Sequence, residues 1–295
     1  SMSPGTNTID DGRALIVFYD ITNLVRGNIM RADFLANASH ELKTPIASLL
    51  GYIETLRGHA KDDPEARETF LAIMQQQAER MQRLISDLLS LRRIELAEHQ
   101  APSETADLFL AARAAIEAAE PLAKSRNVKI DFQGSKKALV TGTQDELVQL
   151  VLNLLDNALK FTPDNGSVTL TLDILPDWHP GQIFAEDPEF GVGHKRRIVL
   201  PSHTGSAFAA LRIRDHGPGL GREHLPRLGE RFYKITDHDT SVKRGTGLGL
   251  AIVKHITLRH RGGLFVESRT GAGTKFTVLL PLPAKKINPS TGKKL

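Results

Sequence analysis

One histidine in the sequence has neighbours suited to nucleophilic chemistry, in the run Ser39-His40-Glu41-Leu42-Lys43-Thr44-Pro45. On a helix, His40 and Thr44 stand one turn apart, on the face opposite Ser39, Leu42 and Ile46. A neutral imidazole is well populated at neutral pH, and one ring nitrogen can attack while an acceptor holds the other. Glu41 is next in sequence as that acceptor or as a general base. Pro45 lacks an N–H and crowds the carbonyl of Glu41, so the helix is expected to bend just beyond His40. The plain alternative is a solvated surface histidine. The zinc-protease pattern is not met, because Thr44 stands where its second histidine would be.

A second group is Asn153-Leu154-Leu155-Asp156-Asn157-Ala158-Leu159-Lys160-Phe161-Thr162. Asn153, Asn157 and Lys160 share one helix face, while Leu154 and Leu155 face a core. Asparagine is mildly unfavourable inside a helix, so two at one-turn spacing call for a reason. Amide oxygens suit Mg²⁺, which brings substrate phosphates with it, and Lys160 can meet a phosphate as a point charge. A solvated polar face is the competing reading. Two glycine clusters follow: Asp215-His216-Gly217-Pro218-Gly219 after a strand, and Gly245-Thr246-Gly247-Leu248-Gly249-Leu250 before a helix. Glycines let backbone approach a ligand closely, and N–H groups at a helix start favour phosphate. Neither cluster is a Walker loop or a dinucleotide fingerprint, and glycine turns alone are common. The polar stretch 232–244 between them reads as a lid carrying Lys234, Lys243 and Arg244.

Elements able to position these groups are legible on either side. Ala14 to Asp20 is a short β-rich run, and Thr22 can cap a helix from about Asn23 to Arg57. Gly58 to Pro64 reads as a turn, with Asp63 as cap and Pro64 at the first position of a second helix reaching about Ala97. Leu35, Ser39, Leu42, Ile46, Leu49, Ile53 and Leu56 alternate by four and three. Phe70, Met74, Gln77, Met81, Leu84, Leu88 and Leu91 do the same. Each is a coiled-coil seam with one polar position. A hairpin of this length cannot close its own core, so the pattern predicts an α-helical hairpin dimerising into a four-helix bundle. The alternative is a hairpin packed on its own domain. Beyond a linker at 100–105, helices are expected at 108–124, 145–160 and 249–261, and strands at 128–132, 167–174, 207–214 and 275–280. This alternation predicts an α+β sandwich over residues 106–283, with helices on one face of a mostly antiparallel sheet. The Pro- and Gly-rich stretch 173–206 reads as one long loop, and 284–295 as a disordered basic tail.

Composition removes several function classes. The chain has 295 residues, enough for about two domains, and 40% are hydrophobic. Net charge is +4, with the basic residues scattered and not interleaved with aromatics, which argues against nucleic-acid binding. No cysteine is present, so disulfides, zinc–thiolate sites and thiol nucleophiles are excluded. No apolar run approaches the roughly 20 residues of a membrane helix, and no signal peptide is visible. Ser1-Met2 reads as the scar of a cleaved tag, so the chain is expected to be a fragment.

In this order and spacing, these segments resemble the two-component sensor histidine kinases over residues 20–283. Their ATP-binding domain shares a fold with gyrase and Hsp90. Phe34 to Pro45 resembles the H-box, Asn153 to Thr162 the N-box, Asp215 to Leu220 and Gly245 to Leu250 the two glycine boxes, and Arg231-Phe232-Tyr233-Lys234 the F-box. The resemblance implies that His40 is the phosphoacceptor, Glu41 its base, and Thr44 a residue that orients water when the protein acts as a phosphatase. It implies that Asn157 holds Mg²⁺ with Asn153 beside it. Lys160 and Lys234 would meet phosphate, and Phe161 would lie near the nucleotide. Asp215 would accept from the adenine amino group. Gly217, Gly219, Gly245, Thr246, Gly247, Leu248 and Gly249 would fold the backbone around ATP. The implied partners are a second copy of the chain and the receiver domain of a response regulator. Residues 1–22 are similar to the end of a PAS sensor domain, and the implied location is the cytoplasmic portion of a parent anchored in the bacterial inner membrane. The H-box surroundings and Leu88 to Glu95 further resemble phosphate-regulon sensor kinases, which points to phosphate-starvation signalling. Competing readings are an ATPase of the same superfamily without autokinase activity, and a catalytically silent dimeric scaffold. Two departures stand out: the length of 173–206, and Gly229, where a bulky apolar residue is usual and a glycine is expected to loosen the lid. His179, His194 and His203 fall in the insert and read as solvated rather than as a metal site.

Overall fold

The computed structural model describes residues 22–179, 193–202, 207–235 and 245–283. The β-rich run before Thr22, the tail after 283, His203, Lys243 and Arg244 lie outside these.

Two long helices lead, α1 (Thr22–Arg57) and α2 (Pro64–Ala97). Their junction follows the capping chemistry. The Asp63 side chain accepts from the N–H groups of Glu65 (3.0 Å) and Ala66 (2.9 Å), and Pro64 takes a first-turn position where no N–H is needed. The helix α1 continues through Pro45, and the Thr44 hydroxyl donates to the His40 carbonyl at 3.2 Å. Where the hairpin meets the second domain, Leu84, Leu91 and Ile94 are buried. Elsewhere the hairpin keeps large apolar side chains in the open: Leu35 is 65% exposed, Leu50 57% and Leu89 63%. A lone hairpin is therefore not self-sufficient.

The second domain is a sandwich of helices on a sheet. Strands β1 (Thr105–Asp107) and β3 (Leu139–Thr141) form a small antiparallel pair. The main sheet holds β2 (Lys129–Gly134), β4 (Ser167–Leu175), β5 (His194–Val199), β6 (Phe208–Asp215), β7 (Gly263–Arg269) and β8 (Gly273–Pro281). Its order is β2-β4-β6-β8-β7-β5, antiparallel except for β2 beside β4. Helices α3 (Leu108–Ser125), α4 (Gln144–Phe161) and α5 (Gly249–Arg259) cover one face. Strand alternation sorts the core: Ala209, Leu211, Leu264, Val278 and Leu280 join the helices' cluster, while Phe208, Ala210, Phe265 and Leu279 face the other way and enclose Trp178.

This corrects the reading of 173–206 as one loop. Strand β4 runs to Leu175, Trp178 folds back over the open sheet face, and His194–Val199 is a strand at the sheet edge beside β7. Edge strands carry charge to discourage further pairing, and His-Lys-Arg-Arg hid this one from an apolar-pattern search. The buried β7 was also unread from sequence, as were the three-residue β1 and β3. No helix among the described residues is long and apolar enough to cross a membrane.

Candidate active site

Helix α4 buries Leu147, Leu150, Val151, Leu154, Leu155, Ala158 and Leu159 against the sheet. That pattern leaves Asn153, Asn157 and Lys160 half-buried, with Asn153 and Lys160 facing the turn into α5. Lys160 Nζ stands 2.8 Å from where a Cβ on Gly245 would lie, and Asn153 Oδ1 stands 3.0 Å from the same point on Gly249. The N-box and the second glycine box are thus in contact. Burial pushes the Lys160 ammonium below its usual range, a strain an anion would relieve. Phe161, at the end of α4, is 46% exposed and available to a ligand.

Asp215 closes β6 and is only 5% exposed. Its Oδ1 accepts from the N–H groups of Gly217 (2.9 Å) and Thr274 (3.1 Å). Among the described residues these bonds fall on one oxygen, which leaves Oδ2 for a ligand. Burial lifts the Asp215 carboxyl to about 6, against the partial relief of those two backbone bonds. A buried, fixed acceptor of this kind suits a neutral donor such as an amino group, not a phosphate. Gly217 packs against the Phe161 carbonyl, and Gly219 (φ 71°) lies against Arg269. The first glycine box is therefore clamped between α4 and the β7–β8 turn.

The second glycine box turns sharply into α5. Gly247 has φ 76°, and a Cβ there would stand 2.8 Å from the Phe232 backbone, so only glycine fits. The Gly247 carbonyl accepts from the Phe232 N–H at 2.9 Å, which ties the F-box to this turn. Phe232 itself sits at φ 62°, uncommon for an aromatic residue, and is held by its packing. The Thr246 hydroxyl accepts from the Leu248 N–H at 3.2 Å, and Leu248 is fully buried ahead of α5. Gly229 lies at φ 85°, so the glycine in front of the F-box meets a backbone requirement, with buried Leu225 and Leu228 just before it.

On the hairpin, His40 and Thr44 are exposed. Glu41 does not reach toward His40: its Oε1 takes Lys234 Nζ at 2.7 Å and its Oε2 takes Arg80 at 3.2 Å. Lys234, expected beside phosphate, is thus engaged with the hairpin. Further ties join the domains. Phe34 and Phe232 pack with ring centroids 5.8 Å apart, and Arg231 pairs with Glu95. The Thr246 hydroxyl donates to Asp87 at 2.7 Å, and Ser90 bonds Gln149. His255 meets Glu98 at 2.6 Å. Sequence reasoning missed Arg80, Asp87 and Glu95, because contacts between elements far apart in sequence leave no local signature.

The donor set bears on the choice of metal. No cluster of three or more His, Cys, Asp or Glu able to hold a cation occurs among the described residues, His179 and His194 included. The amide oxygen of Asn157, one turn from Asn153 on α4, is of a kind that fits Mg²⁺, which keeps most of its ligands as water and phosphate oxygen.

Comparison with known proteins places these features. Residues 30–97 match the His Kinase A (phospho-acceptor) domain, and residues 142–284 match the histidine kinase-, DNA gyrase B- and HSP90-like ATPase family. The chain is 34% identical over 263 residues to the phosphate regulon sensor protein PhoR of Pseudomonas aeruginosa, covering 89% of this chain and 53% of that one. It is 29% identical over 268 residues to the sensor histidine kinase WalK of Bacillus subtilis, covering 90% and 39%. It therefore spans about half the length, or less, of these relatives. Among solved structures it is similar in fold to the Acinetobacter baumannii histidine kinase AdeS (TM-score 0.56, 21% identity, 83% and 98% covered). It is also similar to the histidine kinase ThkA solved in complex with the response regulator protein TrrA (TM-score 0.59, 18% identity, 91% and 66% covered).

Proposed function

Because the chain belongs to the sensor histidine kinase family, carrying both its phosphoacceptor hairpin and its ATPase domain, we propose that it transfers the γ-phosphoryl group of ATP to His40. The observation that carries this reading is the grouping of Asp215, the end of α4 and the two glycine boxes on one side of the domain. A buried acceptor, Asp215, marks one pole, and Lys160 with the α5 N-terminus marks the other. Adenine fits the first pole through its amino group, and phosphates fit the second.

In the step itself, an unprotonated ring nitrogen of His40 attacks the γ-phosphorus, a P–N bond forms, and the P–O bond to the β-phosphate breaks. ADP leaves with the electron pair, and the proton on the other ring nitrogen passes to Glu41 or solvent. Asn157, with Asn153 beside it, would hold Mg²⁺, which when bound supplies charge neutralisation on the phosphates. Lys160 orients the chain of phosphates, and the glycine boxes keep water out. Little covalent work falls to the protein, so the gain is positioning and electrostatics. Glu41 can serve His40 only after Arg80, on α2, and Lys234, on the ATPase domain, release it, so its use as the base requires the domains to reorient.

The exposed apolar residues of the hairpin support a homodimer in which a second copy buries them. On family grounds, the phosphoryl group passes from His40 to an aspartate of a response regulator docked on the outer hairpin face, with Thr44 serving the reverse, phosphatase reaction. Likeness to a relative named for the phosphate regulon supports a role in sensing phosphate supply. Family likeness also favours a parent protein held at the membrane by a segment outside this chain.

Incubation with Mg-ATP labelled at the γ-position tests the reading. Acid-labile, alkali-stable label should appear on the protein, and none from ATP labelled at the α-position. Nucleotide binding without label would leave a superfamily ATPase, and neither binding nor label would leave a scaffold.

A further inference from the structure

One polar contact between the domains falls at the phosphate pole of the pocket. Asp87, in the middle of α2, takes the Thr246 hydroxyl at 2.7 Å. Thr246 belongs to the glycine box, and its oxygen also receives the Leu248 N–H at the start of α5. The charged groups facing Asp87 are Lys160 and Arg83, which attract it, and Asp156, which repels it. Lys160 lies against Gly245 in the same turn. An anionic oxygen therefore already occupies the pole where a hydroxyl, a lysine and a helix N-terminus converge.

We infer that Asp87 is an intramolecular stand-in for nucleotide phosphate, so that docking of the ATPase domain on α2 and binding of a triphosphate compete. The inference rests on the nucleotide reading of the pocket and goes beyond it. Both anions draw on the Thr246 hydroxyl and on the Lys160 charge, and two anions so close repel each other strongly. Burial pushes the Asp87 carboxyl upward, with Thr246, Arg83 and Lys160 opposing the shift. Two of these three groups, Thr246 and Lys160, are ones that phosphate would claim. The remaining ties hold the same docked state: Lys234 with Glu41, Arg231 with Glu95, and His255 with Glu98. Docking thereby masks the base beside His40 and the phosphate pole together. Apparent affinity falls by the fraction of molecules that are docked, and nucleotide loosens docking by the same factor.

The geometry makes the effect depend on phosphate count. A nucleotide reaching the pole with its β- and γ-phosphates meets Asp87, whereas a monophosphate held at Asp215 meets it far less. The test is calorimetric titration of the whole chain with the non-hydrolysable triphosphate adenylyl imidodiphosphate and with AMP. Three proteins are compared: wild type, Asp87→Ala and Asp87→Asn. Alanine favours an α-helix interior, so the first variant keeps α2 intact. Asparagine keeps an acceptor for Thr246 while removing the charge. The expected result is tighter triphosphate binding in both variants, roughly 10-fold for Asp87→Ala, a size typical of coupling between sites. AMP should change less than about 2-fold, below any coupling of that size. Unchanged triphosphate affinity overturns the inference while leaving the pocket's nucleotide reading intact. An equal rise for both ligands also overturns it, since that would mark loosened docking without phosphate mimicry. Failure of all three proteins to bind either ligand removes the nucleotide reading, and this inference with it.

Discussion

Asp215→Asn is expected to weaken ATP binding roughly 10- to 100-fold, the scale of a lost hydrogen bond to a charged group, while making the nucleotide-free protein more stable. The carboxylate is buried and lifted to about 6. The folded protein therefore binds this proton more tightly than the unfolded chain, whose value is near 3.8. Stability from this group is complete below about pH 4 and is lost as pH rises through about 6, a cost of about 3 kcal/mol at neutrality. Asparagine keeps an oxygen for the Gly217 and Thr274 N–H groups but presents an NH₂ where Oδ2 was. That NH₂ opposes the adenine amino group and suits a carbonyl. Calorimetric titration should show ATP losing affinity relative to GTP. Thermal melts at stepped pH should show the wild type losing stability between about pH 4 and 6, a step absent from the variant. Undiminished ATP affinity in Asp215→Asn would contradict the assignment of this pole to adenine.

Asn157→Ala is expected to lower phosphoryl transfer on the order of 100-fold or more, as loss of one transition-state ligand does in other enzymes. The residue is half-buried on α4, away from the leucines that anchor the helix. Alanine is a better helix former than asparagine, so the fold should tolerate the change. The loss should appear in the rate of labelling at saturating Mg-ATP and should persist when Mg²⁺ is raised. Affinity for metal-free ATP should move little. If labelling continues at the wild-type rate, Asn157 is not the Mg²⁺ residue, and the polar-face reading of α4 returns.

How far the sequence revealed this molecule depended on how local each signal is. The hairpin was readable because its ends are written in cap residues, Asp63 and Pro64, and its body in a four-three rhythm. The pocket's parts were readable as motifs, and the fold brings Lys160 to Gly245, and Asn153 to Gly249. The rhythm marked only part of the apolar surface that the lone hairpin leaves open: Leu35, Ile46 and Ile53 belong to it, whereas Leu50, Leu71, Ile85, Leu89 and Leu96 do not. Strand β5 was not readable, since its charges serve an edge and only Ile198 and Val199 mark it as strand. Trp178 as the cover of the far sheet face was equally hidden, because a single aromatic in a loop carries no period. The engagement of Glu41 by Lys234, 193 residues away, depends on domain docking that no local pattern encodes. Asp87 lies between Ser86 and Leu88 with no motif around it, and only its contact with Thr246 gives it meaning.

The most direct test of phosphoryl transfer to His40 is to map the modified residue. The protein would be incubated with Mg-ATP, digested at neutral to alkaline pH to preserve P–N bonds, and its phosphopeptides sequenced by electron-transfer mass spectrometry. Phosphate should be found on the ring of His40 and on none of the other ten histidines of the chain. His40→Gln should yield no phosphopeptide while still binding ATP with wild-type affinity, since His40 is exposed on α1 and lies outside the nucleotide pocket. Phosphate on another residue, or equal labelling of His40→Gln, would contradict the account.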